Sequence, residues 1–104
     1  MNRLLALAFA LGCAAALPAR AEDAKIVIDN FVFTPATLTV KAGTKVVFVN
    51  HDDLPHNVVD ANGGFRSKAL DTDENYEHVF DKPGAFAYFC GLHPQMKGKI
   101  VVEP

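Results

Sequence analysis

The chain has 104 residues, of which 10 are Lys or Arg and 12 are Asp or Glu, and its formal net charge is −2. This length allows one small domain and excludes an α/β-barrel enzyme or a nucleotide-binding enzyme with a second domain. A nucleic-acid-binding protein would carry a basic excess on one face, which this charge balance does not favour, so we expect no nucleic-acid partner.

Residues 1–21 have the features of a cleaved secretory signal peptide. Arg3 gives a positive start, an almost unbroken apolar run follows over Leu4–Leu17, and Ala19-Arg20-Ala21 has the small residues of a cleavage site. A membrane span needs about 20 apolar residues, which argues against an uncleaved anchor. Export would place residues 22–104, as one domain without a membrane span, in the oxidising periplasm of a bacterium.

The two cysteines of the chain have different interpretations. Cys13 follows Gly12, as the acylated cysteine of a lipoprotein would, but Ala10 stands three residues before it in place of Leu. We assign Cys13 to the signal peptide and keep lipidation as the alternative. Cys90 is then a single cysteine, so it is a reactive thiol, an intermolecular link or a ligand. A bound metal would supply stability that small secreted domains usually take from disulfides.

Short apolar and alternating runs, separated by turn residues, predict strands along the rest of the chain, with no helix of useful length. The predicted strands are Lys25–Ile28, Phe31–Phe33, Thr37–Val40, Lys45–Asn50, Asn57–Val59, Tyr76–Phe80, Ala85–Phe89 and Lys99–Glu103. Strands at this spacing predict an all-β antiparallel sandwich or barrel of about seven to eight strands. Its core would include Lys25–Ile28, Leu38, Val40, Val46, Phe48, Ile100 and Val102.

Alternation also predicts which side chains share a face. Phe86, Tyr88 and Cys90 fall on one side of their strand, so aromatic rings would keep the thiol dry. His78 falls mid-strand and His51 lies beside acidic residues in a loop, so we interpret both as packing or titrating residues rather than ligands.

The segment after the predicted strand Ala85–Phe89 carries the most specific pattern. Cys90, His93 and Met96 follow one another in steps of three, and Gly91 leaves room beside the thiol. Residues three apart across a tight turn can approach within about 7 Å, so these side chains can converge. His56, in Pro55-His56-Asn57 at the start of another predicted strand, offers a second imidazole.

One thiolate, two imidazoles and one thioether are the donor set of a blue-copper electron-transfer site, with a His₂Cys plane and a weak axial Met. Zinc rarely takes a thioether. Taken singly, a Met is usually a packing residue and a loop His a surface residue. Taken together in an exported chain with one thiol, these residues favour a copper site.

The sequence resembles the small bacterial cupredoxins of the plastocyanin/azurin family. The matching residues are Phe48-Val49-Asn50 leading to Pro55-His56-Asn57, the run Asp81–Cys90, and His93-Pro94-Gln95-Met96. The short Cys-x-x-His-x-x-Met loop is the form seen in amicyanins. The resemblance covers about Lys25 to Glu103 and implies a Greek-key β-sandwich.

The resemblance also implies a role for each matching residue. His56, Cys90 and His93 would be the equatorial ligands of one type 1 copper, and Met96 the axial ligand. The carbonyl of Pro55 would lie opposite Met96, and the backbone N–H of Asn57 would point at the Cys90 sulfur.

We therefore expect a monomeric periplasmic carrier that shuttles single electrons between redox proteins through the exposed edge of His93. Leu54, Pro55, Leu92 and Pro94 would form an apolar rim around that edge. The alternatives are a copper-trafficking protein without a dedicated electron-transfer role and a metal-free sandwich that binds a partner. An enzyme is disfavoured because a saturated copper leaves no open position for a substrate.

Overall fold

The computed structural model describes residues 23–104, which form eight strands. These are β1 (Ala24–Asp29), β2 (Val32–Thr34), β3 (Thr37–Lys41), β4 (Thr44–Asn50), β5 (Val59–Asp60), β6 (Asn75–Phe80), β7 (Gly84–Phe89) and β8 (Lys97–Glu103). Most predicted strands agree with these to within one or two residues, but Asn57–Val59 overlaps β5 at Val59 alone. The predicted signal peptide lies outside the described residues. Over residues 23–104, no helix is long and apolar enough to cross a membrane.

Two four-stranded sheets pack face to face, in the orders β2-β1-β4-β6 and β3-β8-β7-β5. The prediction of an all-β sandwich is confirmed. The predicted antiparallel pairing is wrong for two pairs of strands, because β1 pairs with β4 and β3 pairs with β8 in parallel. Parallel neighbours cannot be joined by a hairpin. The chain therefore crosses to the other sheet between the members of each parallel pair, a path that alternating hydrophobicity does not encode.

The core lies between the sheets and follows the alternation of the strands. β4 buries every second residue from Thr44 to Asn50. The predicted core residues that the structure buries are Ile26, Ile28, Val40, Val46, Phe48, Ile100 and Val102. Leu38 is partly buried and packs against this cluster, while Lys25 points outward.

Aromatic rings fill the core next to Cys90. Tyr88 is fully buried between Phe33 and Phe48, whose ring centroids lie 4.8 and 5.4 Å from its own in edge-on contact. Gly98 on β8 pairs with Tyr88, and any side chain at position 98 would collide with the Tyr88 ring. The Tyr88 hydroxyl has no hydrogen-bond partner within the described part of the chain, and burial raises the pKa of this phenol. Tyr88 is thus buried like Cys90, with which it was predicted to share a face, whereas Phe86 of that face is only partly buried.

Candidate metal centre

Two connections meet at one end of the sandwich and bring three candidate ligands together. His56 comes from the segment between β4 and β5, while Cys90 and His93 come from the segment between β7 and β8. One donor atom of each of the three lies within 4.8 Å of the other two. Side chains 34 residues apart in sequence, His56 and Cys90, thus share one site.

The donor spacing fits a single metal ion. Cys90 Sγ lies 3.7 Å from His56 Nδ1 and 3.9 Å from His93 Nδ1. A metal about 2.0 Å from nitrogen and about 2.3 Å from sulfur, at tetrahedral or trigonal angles, separates the sulfur from each nitrogen by roughly 3.5–4 Å. A thiolate with two imidazoles suits copper. Both sulfur–nitrogen distances thus match those around one ion, and the two imidazole donors lie within 4.8 Å of each other.

The thiol is buried and receives one hydrogen bond. Cys90 and His56 are 0 % exposed. The backbone N–H of Asn57 donates to Cys90 Sγ at 3.4 Å, which confirms that prediction. A donor at this position stabilises the sulfur in its anionic form and tunes the reduction potential of the metal that the sulfur binds.

Asn57 also joins the two ligand segments through its side chain. Its Oδ1 accepts the N–H of Gly91 at 2.6 Å. A Cβ at Gly91 would meet the Asn57 amide and the Val59 side chain at 3.3–3.4 Å. The absence of a side chain at Gly91 therefore relieves crowding, as predicted, and the neighbours that it spares are Asn57 and Val59.

Backbone hydrogen bonds shape the loop from Cys90 to Met96. His93 N–H donates to the Cys90 carbonyl at 3.2 Å, and Met96 N–H donates to the His93 carbonyl at 2.9 Å. Cys90 N–H donates to the Met96 carbonyl at 3.0 Å, which returns the chain beside its starting point. Met96 is buried and His93 half-buried. The axial role of Met96 and the position of the Pro55 carbonyl opposite it stay predictions.

His56 is fixed by backbone pairing and by a buried amide. Its N–H and C=O pair with Leu70 at 3.2 and 2.7 Å. Asn50, fully buried at the end of β4, donates through Nδ2 to the carbonyls of Leu54 and Leu70 at 3.0 and 2.8 Å. These bonds explain why residues 51–58 hold a ligand without being a strand.

Asp52 is a functional residue that the sequence analysis missed. Its carboxylate accepts the Nε2–H of His56 at 2.8 Å, which leaves His56 Nδ1 free to face Cys90. It also accepts the N–H groups of Asn30 and Phe31 at 2.7 and 2.9 Å. Burial raises the pKa of Asp52, but these hydrogen bonds outweigh it and hold the pKa below its usual range. A carboxylate four residues before a candidate ligand was the available signal, since ligating histidines commonly donate to one.

Phe31 lies at the site, whereas the two remaining histidines lie outside the cluster of ligand atoms. Phe31, predicted as the start of a strand, occupies the β1–β2 turn instead, and its ring contacts both His56 and His93. His78 packs against Phe65 with ring centroids 4.7 Å apart, which agrees with the interpretation of a packing residue. His51 is exposed and lies outside the cluster of ligand atoms.

The sequence matches a family that accounts for this geometry. The family described as the cupredoxin-like domain matches residues 3–102. The chain belongs to the cupredoxin family. It is 38 % identical over 87 residues to amicyanin from Paracoccus versutus, covering 78 % of this chain and 66 % of that protein. It is 38 % identical over 107 residues to chloroplastic plastocyanin from Tetradesmus obliquus, covering 88 % and 74 %.

The solved structures agree with the sequence match. A purple cupredoxin from Nitrosopumilus maritimus superposes with a TM-score of 0.73 at 34 % identity, covering 78 % of this chain and all of that one. Family membership, together with the cluster of His56, Cys90 and His93, confirms the prediction of one type 1 copper as the cofactor. The amicyanin and plastocyanin matches support a blue copper electron carrier rather than an enzyme.

Proposed function

We propose that this cupredoxin is a periplasmic electron carrier that holds one copper through His56, Cys90, His93 and Met96. The proposal includes removal of residues 1–21 as a signal peptide, which leaves residues 22–104 as the working domain. The observation that carries it is the convergence of a buried thiol and two imidazole nitrogens from two separate segments, at distances that suit one metal.

The residues around the site favour electron transfer over chemistry on a substrate. A bound copper supplies one-electron chemistry by alternating between Cu(I) and Cu(II). Cys90 and His56 are closed off from water, and their positions are fixed by hydrogen bonds from Asn57 and to Asp52. Fixed donors in a dry site limit the rearrangement that accompanies a change of charge. A site filled by four side chains also leaves no position for a substrate.

His93 is the route by which electrons would enter and leave. It is half-buried, whereas His56, Cys90 and Met96 are buried. Leu54 and Leu92, which lie close to ligands in the sequence, are 48 % and 49 % exposed. Exposed leucines beside a metal ligand are suited to brief docking of another redox protein. We therefore propose that Leu54, Pro55, Leu92 and Pro94 form the docking rim.

Copper titration tests the ligand assignment directly. The protein should bind one Cu(II) per chain and develop an intense red-region absorption from the thiolate, because Cys90 is the sulfur donor. Cys90→Ser should lose this absorption, and Met96→Gln should keep a copper site of lower potential. His51→Ala is the matched control, since an exposed non-ligand histidine should leave the spectrum unchanged. A colourless complex in the wild type would contradict the assignment.

The copper-trafficking alternative predicts a different fate for the copper when it is reduced to Cu(I). A carrier keeps its copper through repeated reduction and reoxidation, because the same buried donors hold both states. A delivery protein releases it to an acceptor. Repeated electrochemical cycles in the presence of a Cu(I) chelator should leave the copper content constant, and progressive loss of copper would favour trafficking.

The docking rim is tested by placing a charge on it. Leu92→Lys and Pro94→Glu should each slow electron exchange with a redox partner, because docking would then desolvate a charge, while spectrum and potential stay nearly unchanged. Val79→Lys is the matched control, since Val79 is a similarly exposed apolar residue, at 45 %. It lies on β6 and pairs with Lys45, in the part of the sheet away from Asn50. Unchanged exchange rates in both rim variants would place the electron route elsewhere.

A further inference from the structure

Three rings lie in mutual contact at the metal-binding end of the molecule. The Phe31 ring centroid lies 5.1 Å from that of His56 and 4.9 Å from that of His93, at interplanar angles of 85° and 82°. The two imidazoles lie 4.9 Å from each other. Phe31 therefore covers both candidate imidazole ligands at once, although it offers no metal-binding atom of its own.

The backbone beneath this ring has an unfavourable conformation for phenylalanine. Asn30 and Phe31 form the two-residue connection between Asp29 and Val32, and both have positive φ angles, 55° and 62°. Hairpin turns of this kind prefer Gly at the second position, because a Cβ there is crowded. The turn alone does not explain an aromatic residue at position 31. A strained residue next to a site is grounds for a functional hypothesis.

One carboxylate ties this turn to the ligand that it covers. Asp52 accepts the N–H groups of Asn30 and Phe31, and it also accepts the Nε2–H of His56. The side chain of Asp52 is 13 % exposed, so water competes little for these bonds. The backbone of Phe31 is thus anchored to the same group that orients the buried imidazole, and its ring reaches from there to His93.

We propose that Phe31 is a positioning residue, an aromatic cap that holds His93 in its ligating orientation and closes the imidazole side of the metal site to small molecules. The proposal rests on the proposed copper site. His93 is half-buried and is held by a short loop, so a ring packed against it restricts its rotation. Phe31 is 39 % exposed, so the outer part of the same ring remains at the surface.

The decisive variant is Phe31→Gly, because glycine fits the positive φ and keeps the turn while removing the ring. In the copper-loaded protein we expect Cu(I) transfer to bathocuproine disulfonate to be about tenfold faster than in the wild type, the range seen when outer contacts of ligands are lost. We also expect azide to change the visible spectrum of Phe31→Gly and not that of the wild type.

Two further variants separate the ring from the turn. Phe31→Tyr keeps the ring and should behave as the wild type in both assays. Val32→Ala alters the neighbouring residue, which is 50 % exposed and outside the ring cluster, and should also behave as the wild type. If Phe31→Gly matches Val32→Ala in copper release and azide response, the cap does not exist.

A metal-free measurement keeps this proposal distinct from the copper proposal. In the wild-type apoprotein, NMR should show nuclear Overhauser effects between the ring protons of Phe31 and His93, and a single rotamer for His93. In Phe31→Gly the His93 rotamers should average. Absence of the contacts in the wild type overturns the cap. If the wild type shows these contacts but takes up no copper, the proposal for Phe31 stands and the proposed function is contradicted.

Discussion

The two segments that carry the candidate ligands are fixed in different ways. His56 is fully buried, its backbone pairs with Leu70 and its ring donates to Asp52. His93 is half-buried in a short loop, where backbone turns and ring contacts hold it. One imidazole is therefore part of the folded interior even without metal, whereas the other stands at the boundary with solvent.

This difference separates two requirements of an electron carrier. A ligand fixed by the core resists displacement when the charge of the metal changes. A ligand at the surface lets an electron reach a partner without passing through the whole protein. Asn57 joins the two segments, because its backbone donates to the Cys90 sulfur and its side chain accepts from Gly91.

The largest predicted effect comes from removing each histidine in turn from the metal-free protein. His56→Ala leaves a cavity and removes one of the three donors to the Asp52 carboxylate, so we expect it to lower the free energy of unfolding by about 3 kcal/mol. His93→Ala removes a half-exposed ring and should cost less than about 1 kcal/mol. Urea denaturation of the two variants measures the difference. Equal losses would show that the two segments are fixed equally.

Asp52→Ala should have the next largest effect. It removes an acceptor from His56 and from two backbone N–H groups in a poorly exposed position, which should cost about 2–3 kcal/mol of unfolding free energy. Asp53→Ala, the exposed neighbour, is the control and should change stability by less than about 0.5 kcal/mol. Similar denaturation midpoints for both variants would contradict the assigned role of Asp52.

Asn57→Ala tests the connection between the segments. Loss of the part-buried bond to Gly91 removes the acceptor of the Gly91 N–H, so we expect a loss of about 1 kcal/mol and faster amide exchange at Gly91. The exposed Asn62 supplies the control variant, Asn62→Ala. Unchanged protection of Gly91 in Asn57→Ala would mean that the loop holds its shape alone.

The smallest effect concerns Glu74, which lies on the loop beside His56 and pairs through its carbonyl with Asn50. Its carboxylate accepts from Asp71 N–H and from Lys68, and these bonds lower its pKa. A group whose pKa is lower in the folded than in the unfolded protein stabilises the fold at pH values above its unfolded pKa. This stabilisation is lost as the pH falls through the pKa of the folded protein. The stability difference between wild type and Glu74→Gln should therefore be present at neutral pH and shrink below about pH 4. A difference that grows on acidification would contradict the assignment.

The parts of this structure that sequence analysis predicted are those that depend on local patterns. Alternation predicted most strands and the buried residues of β4, and spacing predicted that Cys90 and His93 converge. Asp52 and Phe31 were missed because their roles depend on a turn 21 residues away meeting the His56 segment. The parallel pairings were missed for a related reason, since alternation says which face is buried but not which strand lies alongside.

The position of β8 sets the order in which the molecule can assemble. β8 lies between β3 and β7, so β3 has no neighbour in its sheet until residues 97–103 are available. These same residues anchor the far end of the Cys90–Met96 loop. Pairing between distant segments is slow compared with local hairpin closure. In a growing chain, the β3–β8 pair and the hydrogen bond from Cys90 N–H to the Met96 carbonyl, which closes the ligand loop, therefore form only after these residues have been made.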